Sequence, residues 1–135
     1  MSLVCLPRYR LPGFHYSAIR STLPRVDNSQ LLKGVLPTTA LARLERADAY
    51  GYQVLSELRE GGLSSVGDAS VYGTLQRLYD GGLLSSYLVS SNSGPSRRYY
   101  ALTADGRAAL KAGREEWNEF QAIVTALLSP DEEAS

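Results

Sequence analysis

Two segments of this chain end alike, "LREGGLSS" at Leu58 to Ser65 and "YDGGLLSS" at Tyr79 to Ser86. A glycine able to adopt the left-handed conformation, followed by a leucine that packs back on the last turn, is a strong helix stop. The flanks do not match, so these are two helix ends rather than an internal repeat. Two stops this close allow only short helices between them. Upstream of the first, "AYGYQVLSELREGG" puts Val54, Leu55 and Leu58 on one face and predicts a helix over about Tyr50 to Glu60. Between the stops, Ser65 or Asp68 can serve as N-cap. Val71, Leu75 and Leu78 then recur at i, i+4 and i+7, which predicts a second helix over about Ala69 to Asp80.

The flanking segments complete the pattern. "NSQLLKGVLPTTALARLERAD" predicts an earlier helix from Asn28 or Ser29 to about Ala47, with a kink or restart at Pro37. After the second stop, "LLSSYLVSSNSGPSRRYYALT" alternates as two strands joined by a turn over Ser91 to Pro95. Thr103 then caps a long helix, Ala104 to about Leu128, which stops before Ser129 and Pro130. Three helices, a hairpin and a long helix make a mainly α (α+β) fold, a winged helix-turn-helix with a two-stranded wing. The domain reading is an N-terminal basic and aromatic arm over 1–27, a DNA-binding domain over 28–103, a dimerisation helix over 104–128 and an acidic tail over 129–135.

Composition removes most other function classes. With 135 residues and 44% apolar content, one domain with a sizeable core is expected. Cys5 is the only cysteine and His15 the only histidine, so no internal disulfide forms and no zinc cluster is available. No phosphate loop, nucleophile elbow or HExxH pair is present, which argues against an enzyme and implies no cofactor. The apolar stretches are too short to span a bilayer and Met1 to Pro7 lacks a signal-peptide layout, so a cytoplasmic protein is expected. Net charge is zero but unevenly placed: residues 1–30 and 31–114 each carry an excess of bases, whereas 115–135 holds six acids and no base. A basic body with an acidic tail can hold a polyanion on one face.

In a winged helix the second helix of the tight pair enters the DNA major groove and the hairpin flanks it on the backbone. At about 100° per residue, Ala69, Ser70, Gly73, Gln76 and Arg77 lie opposite the buried stripe, with Tyr72 and Tyr79 on its edge. Gln76 suits an adenine edge and Arg77 a guanine edge, whereas Tyr72 suits a phosphate. Gly73 costs about 1 kcal/mol of helix propensity, which makes sense where a backbone must come close to something. On the wing, Arg97 and Arg98 point to opposite faces of their strand, so at least one can reach phosphates while Tyr99 and Tyr100 anchor the strand. Residues such as "PRYRLPGFHY" in the first 30 fit an arm tracking DNA, an arm packed on the domain or a mobile tail. The rival reading is a winged helix that docks protein instead of DNA; steeply salt-sensitive binding to duplex DNA would separate the two.

Three stretches resemble the PadR family of regulators, over roughly Leu31 to Phe120. "AYGYQVLSEL" is similar to the family's His-Gly-Tyr-Glu helix start, and "SVYGTLQRLYDGGLL" to its Leu-Tyr-Pro-Ala-Leu recognition helix. "GPSRRYYALTADGRAAL" is similar to its wing and following helix, and is the most specific of the three. The resemblance implies a dimeric transcription regulator, usually a repressor released by a small molecule, with Tyr72 and the wing arginines at the DNA. Ala49 stands where the family commonly has histidine, and Gly73 where it usually has proline.

The long helix predicts how two copies would meet. Leu110, Gly113, Trp117, Phe120, Val124 and Leu127 recur at steps of three and four, an apolar seam for a homodimer. The seam is short for a free-standing coiled coil, so pairing with the partner's first helix as well as its last is expected. The arm folding over the seam within one chain is the alternative. Trp117 matches, by its count from Thr103, the tryptophan that stacks planar ligands between subunits in multidrug-resistance members of the family. That resemblance implies an effector slot for a planar aromatic molecule at Trp117 and Phe120, with Glu115, Glu116 and Glu119 favouring cations. Trp117 equally fits the packed centre of a dimer.

Overall fold

The computed structural model describes residues 28–130, in the order α1 (Ser29–Arg46), β1 (Ala49–Tyr50), α2 (Gly51–Glu60), α3 (Asp68–Asp80), β2 (Leu84–Ser91), β3 (Gly94–Leu102) and α4 (Ala104–Leu128). The arm over 1–27, Cys5, His15 and the tail from residue 131 onward lie outside the described residues.

The twin glycine stops are a matched pair of helix ends. Gly62 has φ +124° and Gly82 φ +80°, values that L side chains adopt at a steric cost. At the first, the Leu63 amide donates to the Leu58 carbonyl at 3.0 Å and the Gly62 amide to Arg59 at 3.1 Å. At the second, Leu83 donates to Leu78 at 2.9 Å and Gly82 to Tyr79 at 3.0 Å, the same double closure. Leu63 and Leu83 then pack against the core, as the sequence pattern requires.

The start of α3 differs from expectation. Its N-cap is Gly67, with no side-chain cap, and neither Ser65 nor Asp68 takes that role. Asp68 is instead the first helical residue, 2.9 Å from Arg59 Nη2, and the same guanidinium donates to the Val66 carbonyl. Arg59 therefore ties α2 to the turn before α3, although as a donor it cannot take a cap's place on the free N–H groups of the first turn.

Helix α1 runs through Pro37 as one element, so of the expected kink or restart the restart does not occur. The Thr39 hydroxyl lies 3.0 Å from both the Val35 and Leu36 carbonyls, adding a donor in the turn beside the one the proline lacks.

The sheet has three strands rather than two, in the order β1-β3-β2. Ala49 pairs with Tyr100 and Tyr50 with Tyr99, so β3 is the central strand and the body contributes one edge. Pro95 falls within β3, not in the turn. It sits at the irregular step between the Val89–Arg97 and Ser91–Gly94 pairs, where an extra residue on β3 tolerates a missing N–H.

The core joins Leu36, Leu41 and Leu44 of α1, Val54 and Leu55 of α2, Val71 and Leu75 of α3, Leu84 and Tyr100 of the sheet, and Leu110 of α4. Thr103 seats α4 on it. Its hydroxyl accepts from the Gly106 amide at 3.0 Å and donates to the Gly82 carbonyl at 2.8 Å, linking the second glycine turn to the start of the long helix.

One ionic pair is built into this frame. Arg43 is 8% exposed, pairs with Glu57 of α2, and donates through Nη1 to the Ala47 carbonyl at 3.0 Å. The Arg43 hydrogen bond, opposed in part by desolvation, holds the Glu57 carboxyl below its ordinary value of 4.5. A lowered folded-state pKa contributes stability that is present above the unfolded value and lost as pH falls through the folded one. Glu57→Gln should therefore cost about 1–2 kcal/mol at neutral pH, discounted for partial exposure, and flatten the loss of stability below pH 4.5 in denaturant titrations.

Candidate nucleic-acid interface

Burying Val71, Thr74, Leu75 and Leu78 turns the opposite face of α3 outward. Ser70, Gln76 and Arg77 are exposed there and Gly73 is half-buried. The face is small and polar, and two of its side chains already have local partners. Gln76 Nε2 donates to Asp80 Oδ1 at 2.9 Å, leaving its amide oxygen free to accept. Arg77 Nη2 donates to the Thr74 hydroxyl at 3.1 Å, and a Cβ on Gly73 would come within 3.4 Å of its Nη1. That is ordinary van der Waals contact with the tip of a flexible side chain, so Arg77 does not itself require a glycine at 73. A guanidinium and an amide held this way can exchange those partners for base edges without rearranging the backbone.

Tyr72 leans off the edge of α3 onto the first residue of α2. A Cβ on Gly51 would overlap its ring, so the glycine of "AYGYQVL" exists to admit this tyrosine. Its ring is partly exposed, and partial desolvation with Asp68 nearby raises the phenol above its ordinary value, keeping it a neutral donor. Tyr52, also exposed, stands on the same first turn of α2.

The wing arginines part company as their alternation requires. Arg98 lies on the sheet face towards α3, its guanidinium 5.9 Å from the centre of the Tyr79 ring and its Nη1 2.9 Å from the Ser86 hydroxyl. Arg97 lies on the outer face, 4.6 Å over the ring of Tyr50. Tyr100 is core, as expected. Tyr99 is not: it stacks between Tyr50 and Tyr87 on the outer face. The hairpin register expected from the turn already pairs Tyr87 with Tyr99; only Tyr50, on a two-residue strand, had no signal in the sequence.

The long helix also departs from its expected seam. Leu110 is 1% exposed within its own chain's core, so it is not part of an open face, and a Cβ on Gly113 would sit 2.7 Å from the Thr38 hydroxyl oxygen of α1. The open face begins at Trp117 and Phe120, 46% and 56% exposed, and continues through half-buried Val124 to Leu127. Ile123 and Leu128, outside the three-four pattern, are exposed as well. Trp117 and Phe120 share an apolar groove of about 740 Å³ with Leu31 and Val35 of α1. Among the described residues no metal-binding cluster occurs, and no helix is long and apolar enough to cross a membrane.

Comparison with known proteins places this architecture. A PadR-like transcriptional regulator of Bacillus cereus shares 33% identity and superposes with a TM-score of 0.66, covering 75% of this chain and 98% of its own. A PadR family regulator of Eggerthella lenta shares 28% identity with a TM-score of 0.70, covering 86% and 97%. An uncharacterised protein of Lysinibacillus sphaericus is 29% identical over 98 residues, 71% of this chain and 90% of that one. The model of the transcriptional regulator PadR-like family matches residues 40–112, from the buried half of α1 through the wing to the start of α4. The chain therefore belongs to the PadR-like family, and is a DNA-binding transcriptional regulator rather than an enzyme.

Proposed function

We propose that this protein is a homodimeric repressor that sets two copies of α3 into successive major grooves of an inverted-repeat operator and leaves the DNA when a planar aromatic ligand binds. The observation that carries the reading is the open apolar face of α4 from Trp117 to Leu128. Patches of this kind on a small chain mark an interface, and a second copy offers the same face by symmetry. Leu31 of α1, on the rim of the same groove, supports the first helix taking part. In the DNA complex, Gln76 and Arg77 read base edges, Ser70, Tyr72, Arg97 and Arg98 hold the backbone, and Gly73 lets the helix approach closely.

Trp117 and Phe120 supply two flat apolar surfaces on one groove wall, and the exposed Glu115, Glu116 and Glu119 nearby favour a cation. A titration with planar aromatic cations, followed by tryptophan fluorescence on a protein sized by sedimentation equilibrium, tests both parts. The expected result is a mass of two chains at micromolar concentration and saturable quenching accompanied by release of bound DNA. A monomeric mass would remove the dimer. Unchanged ligand affinity in a dimeric Trp117→Ala variant would reduce the tryptophan to packing.

A further inference from the structure

We propose that Tyr87 and Asp48 form the joint that fixes the wing on the body of the domain, and that this joint positions Arg97 for the DNA backbone. The inference rests on the DNA-binding reading above and adds residues that do not themselves touch DNA.

The wing needs such a joint. Beyond Leu84 and Tyr100 the hairpin leaves the core, and from Tyr87 to Arg98 every residue is exposed. A two-stranded ribbon with no apolar cover holds a fixed angle poorly by itself. On its outer face, however, Tyr87 stacks on Tyr99, with ring centres 5.7 Å apart and planes 18° apart. Tyr99 in turn meets Tyr50 of β1 at 5.4 Å and 54°, and the Arg97 guanidinium covers the Tyr50 ring. The stack is tied at its outer end, where the Tyr87 hydroxyl donates to Asp48 Oδ2 at 2.6 Å, a short charge-assisted bond.

What makes the tie mechanical is where Asp48 sits. It lies in the two-residue link between α1 and β1, and the link is itself pinned by Arg43, which donates to the Ala47 carbonyl while paired with Glu57. Asp48 is thus a fixed post on the body, and Tyr87 hooks the free hairpin to it. The Arg97 side chain, laid over Tyr50, has lost much of its rotamer freedom before any phosphate arrives, which lowers the ordering cost of the contact. Tyr87 is a positioning residue and Arg97 the group it positions.

The test uses the full chain and a fluorescein-labelled 24-base-pair random-sequence duplex. Tyr87→Phe keeps the ring and loses the hydroxyl; Asp48→Ala loses the acceptor; Asp48→Asn keeps an acceptor oxygen. Amide hydrogen exchange across β2 and β3, measured without DNA, reads the joint directly. Tyr87→Phe and Asp48→Ala should speed exchange there, whereas Asp48→Asn should retain protection. For DNA, Tyr87→Phe should weaken binding about 3- to 10-fold and reduce the salt slope towards that of Arg97→Ala, with no added loss when the two are combined. Unchanged exchange in both Tyr87→Phe and Asp48→Ala overturns the joint, whatever the DNA does. Faster exchange with an unaltered affinity and slope overturns the positioning of Arg97. Failure of the wild-type chain to bind duplex at low salt would instead sink the DNA-binding reading on which the proposal rests.

Discussion

Replacing Gly106 by alanine should destabilise the domain by about 3 kcal/mol, the largest effect expected of a glycine-to-alanine change among the described residues. Gly106 is buried in the first turn of α4. A Cβ there would overlap the Leu83 carbonyl oxygen and lie 2.8 Å from Leu102 Cδ1. The carbonyl cannot yield, because Leu83 is the closing residue of the second glycine turn and its oxygen already accepts from the Thr103 amide at 3.1 Å. The new methyl would push α4 off the sheet and strain the Thr103 cap at once. For a domain of about 100 residues, 3 kcal/mol lowers the thermal midpoint by more than about 10 °C, readily seen by circular dichroism. A midpoint within a degree or two of wild type would mean that α4 does not sit against Leu83 as described. Gly34, whose Cβ would meet nothing within 4 Å, is the control, and alanine there should be neutral or slightly stabilising.

The second large effect is on binding. Replacing Arg97 and Arg98 together by alanine should weaken binding to any duplex by about 10- to 100-fold, since each charge-assisted contact is worth roughly 1.5–3 kcal/mol before solvent exposure is discounted. The dependence of log K on log salt should flatten by about 1.8, two phosphate contacts at roughly 0.9 each. The two arginines are not equivalent. Arg98 extends towards α3 over Tyr79, whereas Arg97 is stacked on Tyr50 across the sheet. Contacts from both faces of one hairpin require the wing to lie edge-on along the backbone. A loss confined to Arg98→Ala, with Arg97→Ala silent, would instead place the outer face away from the DNA. The midpoint of thermal unfolding should barely move in the double variant, because both side chains are exposed.

Local chemistry was legible in the sequence where one residue type answers one backbone requirement. The two Gly-Gly-Leu stops, the Thr103 cap and the Val71, Leu75, Leu78 stripe all stand where the pattern put them, because each is decided within a turn or two of helix. Features that depend on distant parts of the chain were not legible. Strand β1 is two residues long, too short for any periodicity, and exists only because β3 passes beside it. The Arg43–Glu57 pair joins different helices, and nothing in either helix marks the partner. The Gly51–Tyr72 contact was hidden for the same reason, although a glycine at the first position of a helix is a signal of close approach. The seam of α4 was read with the right period but the wrong origin. Leu110 satisfies both the seam and the core, and only packing shows that the core takes it.

The same division runs through the candidate site. The outward face of α3 follows from helical periodicity alone, so Ser70, Gly73, Gln76 and Arg77 could be named in advance. The tyrosine stack was half legible, since the hairpin register pairs Tyr87 with Tyr99, but Tyr50 joins them only through β1 once the sheet forms. Wing alternation separated Arg97 from Arg98 correctly, and the same period of two sets Tyr99 on the face of Arg97 and opposite Tyr100, so only one of the two tyrosines could anchor the strand in the core.

Two copies of this winged helix, joined through α4, should present their α3 faces to DNA as a symmetric pair. Selection from a library of random duplexes by the full-length protein, with the enriched sequences read out, tests it most directly. The expected result is enrichment of an inverted repeat whose half-site centres lie about 10 bp apart, with base preferences at specific half-site positions altered by Gln76→Ala or Arg77→Ala. Enrichment of a single asymmetric site, or no enrichment over the starting library at low salt, would contradict it.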